Sequence, residues 1–503
     1  MSTDLQRGAD IARYYKDLID YPPSLVPYNT QSLHVLIERC KKGLSPEDAF
    51  IIGSLAGPLS SKGWEIVKQG CFYFPEDNGP HYNTRKEWWY LACNFNIPGH
   101  DKPMSILMIF TRAGTVPPYM RRGGQDGKDA QVVFIQTYVT IPSKNEHYSF
   151  RYHTSGDSVT MESNPFELSI DKTEEPSFSM KSISRDSVFP MNVTIKDTGS
   201  KMDIYLNLNT SNKPDWFPQG NNGCAPCISG MGYRYYSMPN ISVQGNVKVG
   251  SNDFVQLKGG SAWFDHQWGA RMNPLGYPTN YYLRALSNIS QYFSNPQRNI
   301  RWNWFCLHLD NDTEITTALI PAPEQNNKGP FDLTNTTLLD SKIKKLQRKD
   351  LQDGQVRYTG FATSPTGTTY PLGWELNFPN EDIKLTLTPT IDNQFGYSGD
   401  NSEFMGAGVV IVGTKDGKKI SGSGFVECMS YESDHDFITN SLQSLDYTTD
   451  KISSIIENFY PMKPGGGLFA LSLLIVFLPV MLIILIVVFM ILIIQVNTVR
   501  SAR

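Results

Sequence analysis

Between Gly63 and Met429 the chain runs in short stretches that alternate apolar and polar residues, separated by turn residues. "NVTIKD", "KMDIYLNLN", "ISVQGNVKV" and "IKLTLTPTI" are of this kind. Successive side chains of a strand point to opposite faces, so a period of two predicts strands with one face buried. Runs such as "SILMIFTR" and "VVFIQTYVTI" are apolar nearly throughout. "GVVIVGTKDGKKISGSGFVEC" predicts a hairpin, since Asp416-Gly417 suits the positive backbone angles of a tight turn. So many short strands predict an all-β sandwich or barrel, with enough chain for two. Gly114–Ala130 and Asp353–Thr369 read as long surface loops.

The two ends break this pattern. Residues 1–62 form a helical N-terminal extension, with a helix expected over Ser32–Cys40 and another opening at Ser45-Pro46-Glu47-Asp48. There a hydroxyl cap, a proline in the first turn and two acids coincide. Residues 432–467 read as a juxtamembrane helix followed by a Gly-rich linker, "KPGGG". From Leu468 to Ile494 about 27 residues run without a charge, and roughly 20 suffice to cross a bilayer. A transmembrane helix is therefore expected over 468–494, with a short polar tail at 495–503. The N-terminus has no apolar signal core, so the expected topology is a single-pass tail anchor. The body would lie in the cytosol, on the endoplasmic reticulum or another endomembrane. Arg500 and Arg503 against Lys463 argue weakly for the opposite orientation.

Composition narrows the chemistry. A net charge of -4 offers no basic field for phosphate backbones, so nucleic acid is not an expected partner. Seven scattered cysteines give no disulfide framework, and Cys224 and Cys227 read as incidental thiols in a turn. "GAGVVIVG" leads into a strand and lacks the dinucleotide-loop spacing, and no nucleophile elbow is present. The eight histidines show no ligand spacing, so neither a metal nor a cofactor is expected. A hydrolase reading has no motif behind it.

Two tryptophan-rich stretches remain, "KEWWYLACNF" (Lys86–Phe95) and "GSAWFDHQWG" (Gly260–Gly269). On a strand Glu87 and Trp89 share one face, and Trp88 and Tyr90 take the other. In the second stretch Trp263, Asp265 and Gln267 oppose Phe264, His266 and Trp268. A carboxyl held against aromatic walls loses solvation, so its pKa rises and it can remain a proton donor. Indole faces also shelter cations. The combination suits protonation of an alkene, although from composition alone barrel packing is the favoured reading of the same residues.

"FPEDNGPHYNTRKEWWYL" (Phe74–Leu91), "GSAWFDHQWG", "WNWFCLHLDNDTEI" (Trp302–Ile315) and "YPLGWELNFP" (Tyr370–Pro379) follow one another in an order that resembles the AttH-like, hydroxyneurosporene synthase family. That lipocalin-like group includes carotenoid hydratases and kievitone hydratase. The resemblance runs from about Gly70 to Tyr431. It implies two consecutive lipocalin-like β-domains, over 63–258 and 259–431, with a ligand cleft near their junction. It marks His81, Glu87, Trp88, Trp89, Tyr90, Trp263, Asp265, His266 and Trp268. By that resemblance Asp265 is the expected proton donor, and His266 or His81 orients a carboxyl or water. Trp89 and Trp263 would line the cation. "EFMGAG" at Glu403–Gly408 departs from the Tyr-Trp-Glu-Gly segment of many relatives. The expected function is a cofactor-independent hydratase, lyase or isomerase acting on a lipophilic, isoprenoid-like small molecule at a membrane lipid bilayer. The alternative is a non-catalytic lipid-binding or transfer protein.

Overall fold

The computed structural model describes residues 3–459, apart from 21–29, 57–62, 122–126, 171–175, 211–215, 225–231, 251–254, 271–300, 324–326, 341–346 and isolated positions between them. The expected membrane segment 468–494 lies outside the described residues. Among these, no helix is long and apolar enough to cross a membrane.

Two antiparallel sheets account for most of the chain. The first contains β1 (Lys86–Phe95), β2 (Met104–Gly114), β3 (Gln131–Ile141), β4 (Glu146–Ser155), β5 (Thr160–Ser163), β6 (Phe166–Ile170) and β7 (Ser177–Ser182). It continues with β8 (Met191–Asp197), β9 (Met202–Asn209), β10 (Phe217–Pro218), β11 (Gly232–Val249), β12 (Val255–Leu257) and β13 (Gly260–Ala270). Its path is β4-β3-β2-β1-β13-β11-β9-β8-β7-β6-β5. The sheet curls until residues of both ends, Phe150 of β4 and Met161 of β5, line one core with Trp89, Phe110, Phe264 and Leu206. The second sheet, 11-stranded, runs from Trp302 to Met429 around a separate core that includes Trp374, Phe378 and Ile411. Two curled sheets agree with the expected pair of lipocalin-like units. The expected boundary at residue 259 gives β13 to the second unit, yet β13 pairs with β1 and β11 of the first sheet. Backbone hydrogen bonding decides this, and local sequence does not report it.

The strand patterns show where the sheets meet. In β9 burial alternates strictly, as for a strand with one face in water. In β3 all eleven residues are buried. Two further apolar clusters explain the difference: terminal helices cover Val132 and Phe134, and Tyr90, Ala92, Leu107, Tyr138 and Trp263 of the first sheet pack on Cys306, Phe404 and Phe425 of the second. Two glycines allow the close approach. A Cβ on Gly408 would sit 2.4 Å from Ser105 Oγ, and one on Gly406 would sit 2.9 Å from the Leu107 side chain.

The hairpin expected at Asp416-Gly417 joins Glu403–Lys415 to Lys418–Met429, with Lys415 opposite Lys418 and positive φ at both turn residues. Asp353–Thr369, expected as a loop, contains the short strands Gln355–Tyr358 and Phe361–Thr363. The N-terminal helices are Thr3–Asp20, Thr30–Cys40 and Pro46–Leu55, the last capped by Ser45 Oγ accepting the Asp48 amide at 3.0 Å. They do not stand apart from the C-terminal helices Asp434–Ser444 and Thr449–Phe459. Leu36, Ile51, Leu442 and Ile455 share one core, which rests on Val132 and Phe134 of β3. Tyr447 Oη donates to the Val35 carbonyl at 3.2 Å. Cys224, read as an incidental thiol, is disulfide-bonded.

Candidate functional site

β1 and β13 lie side by side, with Glu87 opposite Trp268, Trp89 opposite His266, and Tyr90 opposite Asp265. The two tryptophan motifs are therefore neighbours. Their acids are not. Alternation sends Glu87, Trp89, His266 and Trp268 into the first barrel, and sends Trp88, Tyr90, Trp263 and Asp265 toward the second sheet. His81 and His266 meet the carboxyl of Glu87 and not that of Asp265, and Trp89 and Trp263, expected to line one cation, lie on opposite faces. The sheet separates them.

Inside the first barrel Glu87 is fully buried and saturated with partners. Its Oε2 accepts from Arg112 Nε at 2.7 Å and from the His81 amide at 2.8 Å. Its Oε1 lies 2.7 Å from His81 Nδ1 and 2.9 Å from His266 Nε2. Burial alone would raise the Glu87 carboxyl, but the Arg112 and His81 charges outweigh it and hold it far below the usual range. Burial pulls His81 down, yet Glu87 and Asp77 more than compensate and its pKa is raised. For His266 burial prevails over Glu87, and its pKa is lowered. Aromatic rings fix both imidazoles: Trp268 stacks on His81 at 3.9 Å, and Trp89 stacks on His266 at 4.5 Å. Trp89 Nε1 donates to the Asn78 carbonyl at 3.0 Å, tying the strand to the 71–85 loop that carries His81.

Asp265 occupies the interface between the sheets. Tyr235 Oη donates to its Oδ2 at 2.6 Å, and Trp263 Nε1 donates to its Oδ1 at 2.7 Å. Ser237 Oγ also donates to Oδ1. Burial pushes the Asp265 pKa up to about 7 against those three donors. Facing it across the interface is a carboxyl that sequence reasoning missed, Glu427. It is paired in register with Trp304, whose ring meets Tyr90 at 5.3 Å and Trp263 at 6.3 Å. Trp304 and Glu427 therefore share the face that looks at Asp265. Burial, with the Asp265 charge adding to it, pushes the half-buried Glu427 up to about 7. Among the described residues its side-chain donor is Trp302 Nε1, at 3.3 Å. "FVEC" reads as ordinary strand, and only the facing sheet gives its acid a setting. The Tyr90 hydroxyl, buried between these groups, has no hydrogen-bond partner.

Among the described residues, the space at the junction where the ligand cleft is expected is small. Beside Trp263, between Ala92 and Cys306, the cavity measures about 20 Å³, room for a water molecule and far below the several hundred Å³ of a small-molecule pocket.

A family model described as AttH-like matches residues 66–431, which spans both sheets. Among solved structures the chain is similar to an AttH from Nitrosomonas europaea, at 16% identity and a TM-score of 0.54, covering 73% of this chain and 99% of that one. It is also similar to kievitone hydratase from Nectria haematococca, at 14% identity and a TM-score of 0.48, covering 74% and 98% respectively. No curated protein matches the chain by sequence. The first of these likenesses is one of fold, and the family match covers most of the polypeptide. The chain belongs to the AttH-like family.

Proposed function

We infer that this protein is a cofactor-independent hydratase or related lyase that acts on a lipophilic, isoprenoid-like alkene at a membrane, held there by segment 468–494. The observation that carries the reading is the pair of carboxyls, Asp265 and Glu427, set among Tyr90, Trp263 and Trp304 with both pKa values lifted to about 7. An acid and a base poised near the working pH are what addition of water to an alkene needs.

The two acids have different surroundings, and so different roles. Three donors favour the ionised form of Asp265, whereas Glu427 has the indole of Trp302 and like charge beside it. Glu427 keeps the proton and is the donor, in place of the Asp265 expected from the sequence. It protonates one alkene carbon, and the cation forms at the other, against the Trp263 and Trp304 faces. Water adds to that carbon and loses its proton to the Asp265 carboxylate. Return of the proton to Glu427 closes the cycle, with one water consumed.

The full-length protein and its Glu427→Gln and Asp265→Asn variants would be incubated with extracted membrane lipids and the products read by mass. A product heavier by one water with the wild type, absent with both variants, is the expected result. Unaltered lipid bound equally by all three proteins would show a binding protein and remove the enzymatic reading.

A further inference from the structure

The cluster around Glu87 takes no part in that chemistry, and its hydrogen bonding points to a ligand. His81 Nδ1, His266 Nε2 and a Glu87 oxygen lie within 4.8 Å of one another. What the outer edges of the rings do decides the state of the inner ones. His81 Nε2 is 3.1 Å from Asp77 Oδ1, and His266 Nδ1 is 3.0 Å from the Asp77 carbonyl oxygen. A carbonyl and an ionised carboxylate only accept, so each outer nitrogen carries hydrogen. In neutral rings the two inner nitrogens are then lone pairs, both directed at Oε1 of Glu87. Three acceptors converge on one point. Something positive belongs among them, either two protons or one divalent cation.

We propose that His81, Glu87 and His266 bind a divalent transition-metal ion of the zinc class, through Nδ1, Oε1 and Nε2 respectively. Two imidazoles and one carboxylate form a donor set such ions take. The supporting groups have the arrangement a metal site requires, because each ligand's second polar atom is tied down. One Asp77 residue holds both rings, while Arg112 and the His81 amide hold Glu87 Oε2 and leave Oε1 to ligate. Stacking on Trp268 and Trp89 keeps the imidazole planes fixed. Exchanging two ring protons for one divalent ion leaves the cluster's charge unchanged, so Arg112 is no obstacle. The His81 side chain is 21% exposed while Glu87 and His266 are closed, so the ion enters past His81. No sequence spacing announces the site, since its ligands come from a loop, β1 and β13.

The test uses full-length protein stripped with chelator and titrated with Zn²⁺ by calorimetry and with Co²⁺ by visible absorption. One equivalent of each ion is expected, with the ligand-field bands of low-symmetry Co²⁺. His81→Ala should lose at least tenfold in zinc affinity, and its unchanged circular dichroism would show that the partly exposed position tolerates the change. His308→Ala, which alters a separate histidine paired with Glu314, should bind like the wild type. Absence of stoichiometric binding by the wild type, or equal binding by folded His81→Ala, overturns the proposal. Should His81→Ala fail to fold, His81→Gln and wild-type Co²⁺ spectra decide it, since imidazole ligation shifts those bands.

Discussion

Glu87 and Asp265 stand on neighbouring strands of one sheet, three residues out of register, and point to opposite sides of it. One is locked into an ion-paired cluster in the barrel, and the other faces a second acid across an interface. Their different surroundings give different expected behaviour.

Glu87→Gln should destabilise the protein strongly. Removing the charge leaves Arg112 buried without its counter-ion, a change that costs about 3–5 kcal/mol in comparable buried pairs. The pH dependence follows from the sign of the shift. The Glu87 carboxyl is held below its ordinary value, so its contribution is present above the unfolded-state pKa and is lost as pH falls. Urea denaturation between pH 3 and 7 should show a steeper acid limb for wild type than for the variant.

Glu427→Gln should do the reverse. The Glu427 pKa is raised by burial to about 7, so its favourable contribution is complete below the unfolded value and disappears as pH rises through 7. The variant should therefore gain about 1–2 kcal/mol over wild type at pH 8, after allowing for partial solvent contact, and little at pH 4.5. Thermal melts at the two pH values measure this, and equal offsets at both would contradict it.

Tyr90→Phe removes a buried hydroxyl that has no hydrogen-bond partner. Such a group carries a desolvation cost without return, so the variant should be as stable as wild type or more stable by about 1 kcal/mol. A loss above 1 kcal/mol in urea denaturation would show that the hydroxyl is bonded in solution.

Gly408→Ala places a methyl against Ser105, across the contact between the sheets. Overpacking of this kind costs about 1–3 kcal/mol. Ser105→Gly in the same chain should recover a large part of the loss, and a double-mutant cycle reads the coupling between the two positions.

Much of this architecture was legible before any coordinates. The period-two runs gave the strands, Asp416-Gly417 gave the hairpin, and Ser45-Pro46 gave a helix start, because each depends on steric rules acting within a few residues. The alternation in "KEWWYLACNF" even assigned Glu87 and Tyr90 to opposite faces correctly. Which face meets which surface is a different kind of fact. Nothing local in "GSAWFDHQWG" says that its strand belongs to the first sheet, since strand pairing is chosen by hydrogen bonds between segments about 175 residues apart.

The sequence by itself determined the all-β class, the family, and the acids and aromatics of the two tryptophan motifs. Tertiary structure alone decided how that set divides. It put His81, Glu87 and His266 on one oxygen, and gave Asp265 an unforeseen partner in Glu427. The physical reason is that a carboxyl's chemistry is set by its solvation and neighbouring charges. Those come from strands and loops far away in the chain, and for Glu427 from the other sheet.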